Sequence, residues 1–229
     1  MLGIMGAMKV EIDEVVSKMS RVNRYEIGSC WYNHGYIEGK ELVVVCCGIG
    51  KVNAATVATT LLHKFECTSL INIGVAGGVG AGIKIGDIVL SSRCVQFDVV
   101  VDNTNGGALG IVDKFESAYI ECDQALVSKI EKTIQGMNIA CRIGVVATSD
   151  KFIADSKVLK DLTAKFAPQA VEMESGAIAQ VCALYKVPFC TIRTISDTAD
   201  EHAEGDFASN MRQTAKISCE ILKRFVVGK

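Results

Sequence analysis

The sequence predicts an α/β fold in which helices cover a largely central sheet. Three observations carry this. Strand-like apolar runs alternate with helix-like segments along the whole chain. The runs lack the strict apolar–polar alternation of a sheet with one wet face, so both of their faces are buried. No linker, low-complexity tract or internal repeat interrupts the pattern. A chain of 229 residues is long enough to bury a large core, and residues 1–229 are read as one domain.

The elements follow in order. Residues 2–6 (LGIMG) form a short apolar strand, and VEIDEVVSKM, with apolar side chains recurring near a period of 3.6, forms an amphipathic helix. Residues 30–46 read as a β-hairpin, CWYNHGYI then ELVVVC, turned at Glu38-Gly39-Lys40. A helix over 53–65 leads to a buried strand over 69–78 that runs into a Gly-rich turn, and a further strand covers 86–97. Periodicity fails over 98–118, which the Asn-Gly-Gly sequence marks as a long loop of the kind that forms lids or interface arms. Then come helix 124–134, strand 141–149, helix 155–166, strand 170–172, helix 174–186, strand 189–195 and a last helix near 207–227.

Composition excludes several function classes. There are 24 Lys and Arg against 26 Asp and Glu, a net charge of −2, so neither nucleic acid nor an anionic membrane gains by binding. A charged fraction of only 22% with a mean hydropathy of +0.30 argues against disorder. No apolar run is long enough to span a bilayer, and the opening MLGIMGAMKVEIDE lacks a basic leader, so a cytoplasmic location is expected. The ten cysteines form no C-x-x-C pair and lie mostly inside apolar segments, with no clustered His, and read as free buried thiols. Neither a metal nor a cofactor is expected.

Two glycine loops invite nucleotide-binding readings that their spacing refuses. Gly48-Ile49-Gly50-Lys51-Val52-Asn53-Ala54 is G-x-G-x-x-x-A, and the strand after it has no acidic residue for a ribose, so it reads as a tight strand-to-helix turn. Gly74-Val75-Ala76-Gly77-Gly78 lacks the Gly-Lys-Ser/Thr ending of a phosphate-binding loop. More informative are four polar islands, each at the end of an apolar strand: Met8 to Glu11, Ser149 to Ile153, Val171 to Glu174 and Arg193 to Asp197. Ligands of open α/β sheets bind beyond the carboxyl ends of strands, so these islands are placed to share a pocket. Singly, a carboxylate such as Glu174 or Asp197 serves equally well to start a helix.

Several carboxylates, one Arg, one Phe and no metal-ligand cluster match cleavage of a glycosidic bond to a heteroaromatic base. One acid protonates the leaving group, a second carboxylate activates water on the other side of the sugar, and nearby negative charge stabilises the cationic sugar. The Phe offers a face on which a base stacks.

G-I-M-G-A-M-K-V-E (3–11), G-I-G-K-V-N-A-A (48–55), I-G-V-A-G-G (73–78), G-D-I-V (86–89), S-D-K-F-I, V-E-M-E-S-G-A-I-A (171–179) and R-T-I-S-D-T-A-D (193–200) closely resemble the 5′-methylthioadenosine/S-adenosylhomocysteine nucleosidases of the purine nucleoside phosphorylase/uridine phosphorylase superfamily. The resemblance runs from about residue 2 to 227. It implies a single-domain, three-layer α/β/α fold with a mixed, partly barrel-like central sheet, a homodimer, a small-molecule nucleoside substrate and no cofactor. By the same resemblance Asp197 is the general acid for adenine N7, its pKa raised by burial and neighbouring carboxylates, with Ser196 orienting it. Glu11 holds the attacking water with help from Arg193. Glu174 grips the ribose hydroxyls, Met173 lines the sugar, and Val75 and Glu172 belong to the same binding wall. Phe152 stacks on adenine and the Ile153 backbone reads its edge, while Met8, Ile49 and Phe207 surround the 5′ substituent.

Two alternatives stay open at this level. Phosphorolysis needs cations for a phosphate dianion, yet the first Arg is Arg21 and the Gly-rich loop carries Val75 instead of a hydroxyl residue, so water is the expected nucleophile. A nucleoside-binding protein with little turnover is the other, suggested by Val75 and by the divergent stretch Phe97 to Gly107, which the resemblance makes part of the dimer interface and of the neighbour's 5′ pocket. That divergence leaves the preferred 5′ substituent undetermined.

Overall fold

The computed structural model describes residues 1–101 and 108–228. In chain order the elements are β1 (Leu2–Gly6), α1 (Lys9–Ser17), β2 (Ser20–Ile27), β3 (Cys30–Ile37), β4 (Lys40–Cys46), α2 (Lys51–Lys64), β5 (Ser69–Gly78) and β6 (Ile88–Gln96). They continue as β7 (Tyr119–Glu121), α3 (Gln124–Gln135), β8 (Cys141–Thr148), α4 (Ser156–Phe166), β9 (Ala170–Glu172), α5 (Ser175–Tyr185), β10 (Phe189–Asp197) and α6 (Ala203–Val227).

All ten strands join one mixed sheet in the order β10-β6-β8-β9-β5-β1-β4-β3-β2, with β7 on β6. A further pairing of β10 with β5 closes β5, β10, β6, β8 and β9 into a ring, the barrel-like part. Around it β5–β10, β6–β8 and β8–β9 are parallel, while β10–β6 and β9–β5 are antiparallel. The continuous apolar runs sit where two-faced burial requires: Ile4, Val43, Val44, Val45, Leu70, Ile71, Ile73 and Ile192 are fully buried. Helices α1 and α3 each pack on α6, which lies against β5 and β10, and α2 packs on α5, which lies against β6 and β8.

Several expectations are corrected. Strand β2 has no counterpart in the sequence reading, because SRVNRYEI is exposed at every residue but the last and shows no apolar alternation. It is an edge strand held by its backbone ladder to β3, and its Arg21, Arg24 and Glu26 discourage pairing with another chain. β7 is three residues long, too short to register as a period. Helix α6 starts at Ala203, before residue 207, because Asp200 accepts a hydrogen bond from the His202 N–H at 2.9 Å and organises the turn ahead of it.

The loop reading holds for residues 98–101 and 108–118, which contain neither helix nor strand. A bond from the Gly110 N–H to the Val99 carbonyl at 2.8 Å ties the base of the segment. Of the stretch 97–107 expected to form part of a dimer interface, residues 102–107 lie outside the described residues. Among those described, no helix is long and apolar enough to cross a membrane.

Candidate active site

The four polar islands converge. A cavity of about 340 Å³ is lined by Met8 just before α1 and Glu11 within it, Ile49, Val75 from β5, Phe152 and Ile153, Glu172, Met173 and Glu174, Ser196 and Asp197 from the end of β10, and Phe207 from α6. That size suits a small ligand, since such pockets run from about 300 to 1,000 Å³. Of the residues singled out from sequence, only Arg193 does not line it. Its guanidinium lies in the floor, 1% exposed.

Glu11 enters as the third residue of α1 and turns its carboxylate inward. One oxygen accepts the Met8 N–H at 2.9 Å, one of the donors a helix start leaves free. The other accepts the Val75 N–H at 3.0 Å. The side chain is 1% exposed, and burial pushes its pKa up, against the nearby Arg193 charge and these backbone bonds. Gly74 makes this approach possible. A Cβ there would collide with Arg193 Nη1 and a Glu11 oxygen.

Below, the Glu172 carboxylate is fully engaged. One oxygen accepts the N–H groups of Glu174 at 2.9 Å and Ser175 at 2.8 Å and the Ser175 hydroxyl at 2.9 Å, and it pairs with Arg193. The other accepts the Thr148 hydroxyl. Glu172 thus caps α5 from outside it and anchors the guanidinium. Arg193 also donates to Asn72 Oδ1 and lies 3.5 Å from a Glu174 oxygen. Burial works against the Arg193 charge, but Glu172, Glu174 and Glu11 outweigh it and raise its pKa.

Glu174 places its remaining oxygen on the Gly50 N–H at 3.0 Å. Burial, with Glu172 beside it, pushes its pKa up to about 8 despite Arg193. The G-x-G turn therefore serves a carboxylate of the chain itself: Gly48 and Gly50 have φ of +84° and +99°, values that L-residues rarely adopt.

Asp197 ends β10, where the register against β5 slips between Ile195 and Asp197 and re-aims the side chain into the cavity. Its oxygens accept the Ser196 hydroxyl at 2.8 Å and the Ala199 N–H at 2.9 Å. Burial, aided by Asp206 and Asp200, raises its pKa over the opposing pull of these bonds. One wall is aromatic, with Phe152 and Phe207 edge-to-face at 5.7 Å and 73°.

Three carboxylates, Glu11, Glu172 and Glu174, around one buried guanidinium, with Asp197 on the same cavity, make a site that favours protonated acids and a developing cation. Among the described cavity-lining residues Lys151 alone is cationic. The sequence reading missed the support: Asn72, Thr148 and Ser175, and the backbone donors of Gly50 and Val75. Asn72 had a signal, being the one polar residue in the apolar run Leu70–Val75. A backbone N–H has none.

The profile of the phosphorylase superfamily matches residues 1–227. A curated 5′-methylthioadenosine/S-adenosylhomocysteine nucleosidase of Halalkalibacterium halodurans is 34% identical over 229 residues, a match covering 100% of this chain and 98% of the relative. The crystal structure of the Neisseria meningitidis 5′-methylthioadenosine/S-adenosylhomocysteine nucleosidase in complex with methylthio-immucillin-A superposes with a TM-score of 0.95 at 32% identity, covering 100% of this chain and 99% of that one. The native futalosine hydrolase of Helicobacter pylori superposes equally well, with a TM-score of 0.95 at 29% identity over 100% of this chain and 97% of the other.

Proposed function

The chain belongs to the phosphorylase superfamily and, within it, to the 5′-methylthioadenosine/S-adenosylhomocysteine nucleosidases, and from that premise we propose that it hydrolyses the N-glycosidic bond of 5′-methylthioadenosine, S-adenosylhomocysteine and 5′-deoxyadenosine. The observation that carries the reading is the pairing, on one cavity, of an acid whose pKa burial raises with a carboxylate anchored by two backbone donors.

In this reading adenine lies against Phe152, its edge read by the Ile153 backbone, and Asp197 donates its proton to N7 as the bond from C1′ to N9 breaks. The bonding pair leaves with adenine, and the Glu11 carboxylate stabilises the positive charge that develops on the sugar. Water attacks C1′ and gives a proton to Glu11. The products are adenine and the sugar carrying its 5′ group, a 5-thioribose from the thio substrates. Glu174 holds the 2′- and 3′-hydroxyls, with Met173 along the sugar. Glu172 and Arg193 act through their neighbours, fixing α5 and the Glu174 carboxylate. Val75 supplies an N–H to Glu11 and an apolar wall, and Met8, Ile49 and Phe207 face the 5′ group.

Water is preferred over phosphate because the Arg193 guanidinium is occupied by carboxylates and a phosphate dianion would meet a strongly acidic floor. Adenine release in phosphate-free buffer is the expected result. Release that requires phosphate and yields a ribose 1-phosphate would make the protein a phosphorylase, and tight binding without cleavage would make it a nucleoside-binding protein. The likeness to futalosine hydrolase favours a second reading at the 5′ group alone, which a panel of substrates differing only there decides.

The same reading makes the protein a cytoplasmic homodimer, with 1–229 as one domain. Ile49, Val52, Val100 and Val101 stand exposed on segments that the Lys51–Asp98 ion pair brings together, an apolar surface suited to a second copy. A monomeric mass by sedimentation at micromolar concentration would count against it.

A further inference from the structure

Helix α2 begins with a glycine N-cap, so its own sequence supplies no side chain for the free N–H groups at its start. They are met from across the chain. Glu174 takes the Gly50 N–H, and Asp150 takes the Lys51 N–H at 2.8 Å. The Lys51 side chain then turns back over the turn, its ammonium 2.7 Å from Asp98 and 3.9 Å from Asp150. Asp98 completes the circuit by accepting the Asp150 N–H at 3.0 Å.

Three segments meet here through charge: the turn that holds Glu174 and the stretch carrying Phe152 and Ile153, which border the cavity, and the chain leaving β6. Among the described residues Lys51 is the only cation paired in this cluster, and its side chain is 16% exposed against 32% and 52% for its two partners. Removing it leaves Asp98 and Asp150 facing each other, and their repulsion displaces the stretch that carries the Phe152 wall of the cavity.

We propose that Lys51, Asp98 and Asp150 form a clasp that sets the spacing between the ribose-binding carboxylate and the base-stacking wall. They are positioning residues, and their effect falls on nucleoside binding more than on bond cleavage. The acid and the water-holding carboxylate are fixed by other contacts, from Ser196, Ala199, Met8 and Val75. This inference rests on the nucleoside reading of the cavity.

The test compares wild type, Lys51→Met and Lys51→Arg by calorimetric binding of a non-cleavable methylthioadenosine analogue, by steady-state adenine release and by thermal unfolding. Lys51→Met is expected to weaken binding and raise KM about tenfold, the loss of one charge-assisted contact, with kcat changed less than about twofold. Lys51→Arg, which keeps the charge, should recover most of the affinity. Unchanged affinity in Lys51→Met overturns the clasp, as does a fall in kcat with KM unaltered, or an equal loss in both variants that tracks a lowered unfolding temperature. Wild-type protein that binds no analogue and releases no adenine would instead overturn the nucleoside reading itself.

Discussion

The Glu174 carboxylate accepts a hydrogen bond from the Gly50 N–H at 3.0 Å, across 124 residues of sequence. One carboxylate oxygen is held by that bond while the other lies 3.5 Å from Arg193, and the residue lines the cavity. A hydroxyl pair on a sugar meets an acceptor whose rotation is already restricted, which lowers the entropy lost on binding. Glu174→Ala should therefore abolish the distinction between the substrate and its 2′- or 3′-deoxy analogues. The comparison is kcat/KM for each analogue, and undiminished discrimination would remove Glu174 from ribose recognition.

The same side chain gives the folded protein a pH dependence. Its pKa lies near 8 when folded, against 4.5 for an ordinary Glu, so between these values the folded chain holds a proton that the unfolded chain has released. This contribution is fully present below the unfolded pKa and is lost as pH rises through the folded one. Relative to Glu174→Gln, wild type should lose stability from roughly pH 5 to pH 8, read as urea midpoints for the two proteins. Parallel profiles would mean that Glu174 is ionised in the folded state throughout.

Asp197→Asn keeps the shape of the side chain and an oxygen for the Ala199 N–H, but provides no acidic proton. Adenine release should fall on the order of 10²–10⁴-fold while nucleoside binding survives. A variant with near-normal kcat would reassign the acid.

Phe152 is 38% exposed at one side of the cavity, braced by Phe207. Phe152→Ala should weaken adenine binding by about 1–3 kcal/mol, as judged from base–aromatic stacking. Equal affinity of both proteins for free adenine would show that the ring does not meet the base.

Gly74→Ala would drive a methyl group into Arg193 and Glu11, whereas Gly205→Ala on α6 meets open space. The first should cost about 1–3 kcal/mol in urea unfolding and most of the activity. The second should be neutral or stabilising by up to about 1 kcal/mol. A harmless Gly74→Ala would show that Glu11 and Arg193 can withdraw without loss.

The sequence by itself determined the alternation of apolar strands and amphipathic helices, because burial leaves a period in the residues that undergo it. It also marked Glu11, Glu174 and Asp197, since charged residues directly after apolar strands are costly to bury without a purpose. It was silent on β2, whose residues are exposed and whose pairing is backbone alone, and on the closure of β10 against β5. Nor did it separate Arg193, which lies in the floor held by Glu172, from the residues that border open space. Only the tertiary structure decided those points, and the raised pKa of Glu174 with them. The physical reason is shared. Each depends on which backbone N–H groups and charges come within about 3 Å across the fold, and such donors are chemically identical at every position along the chain.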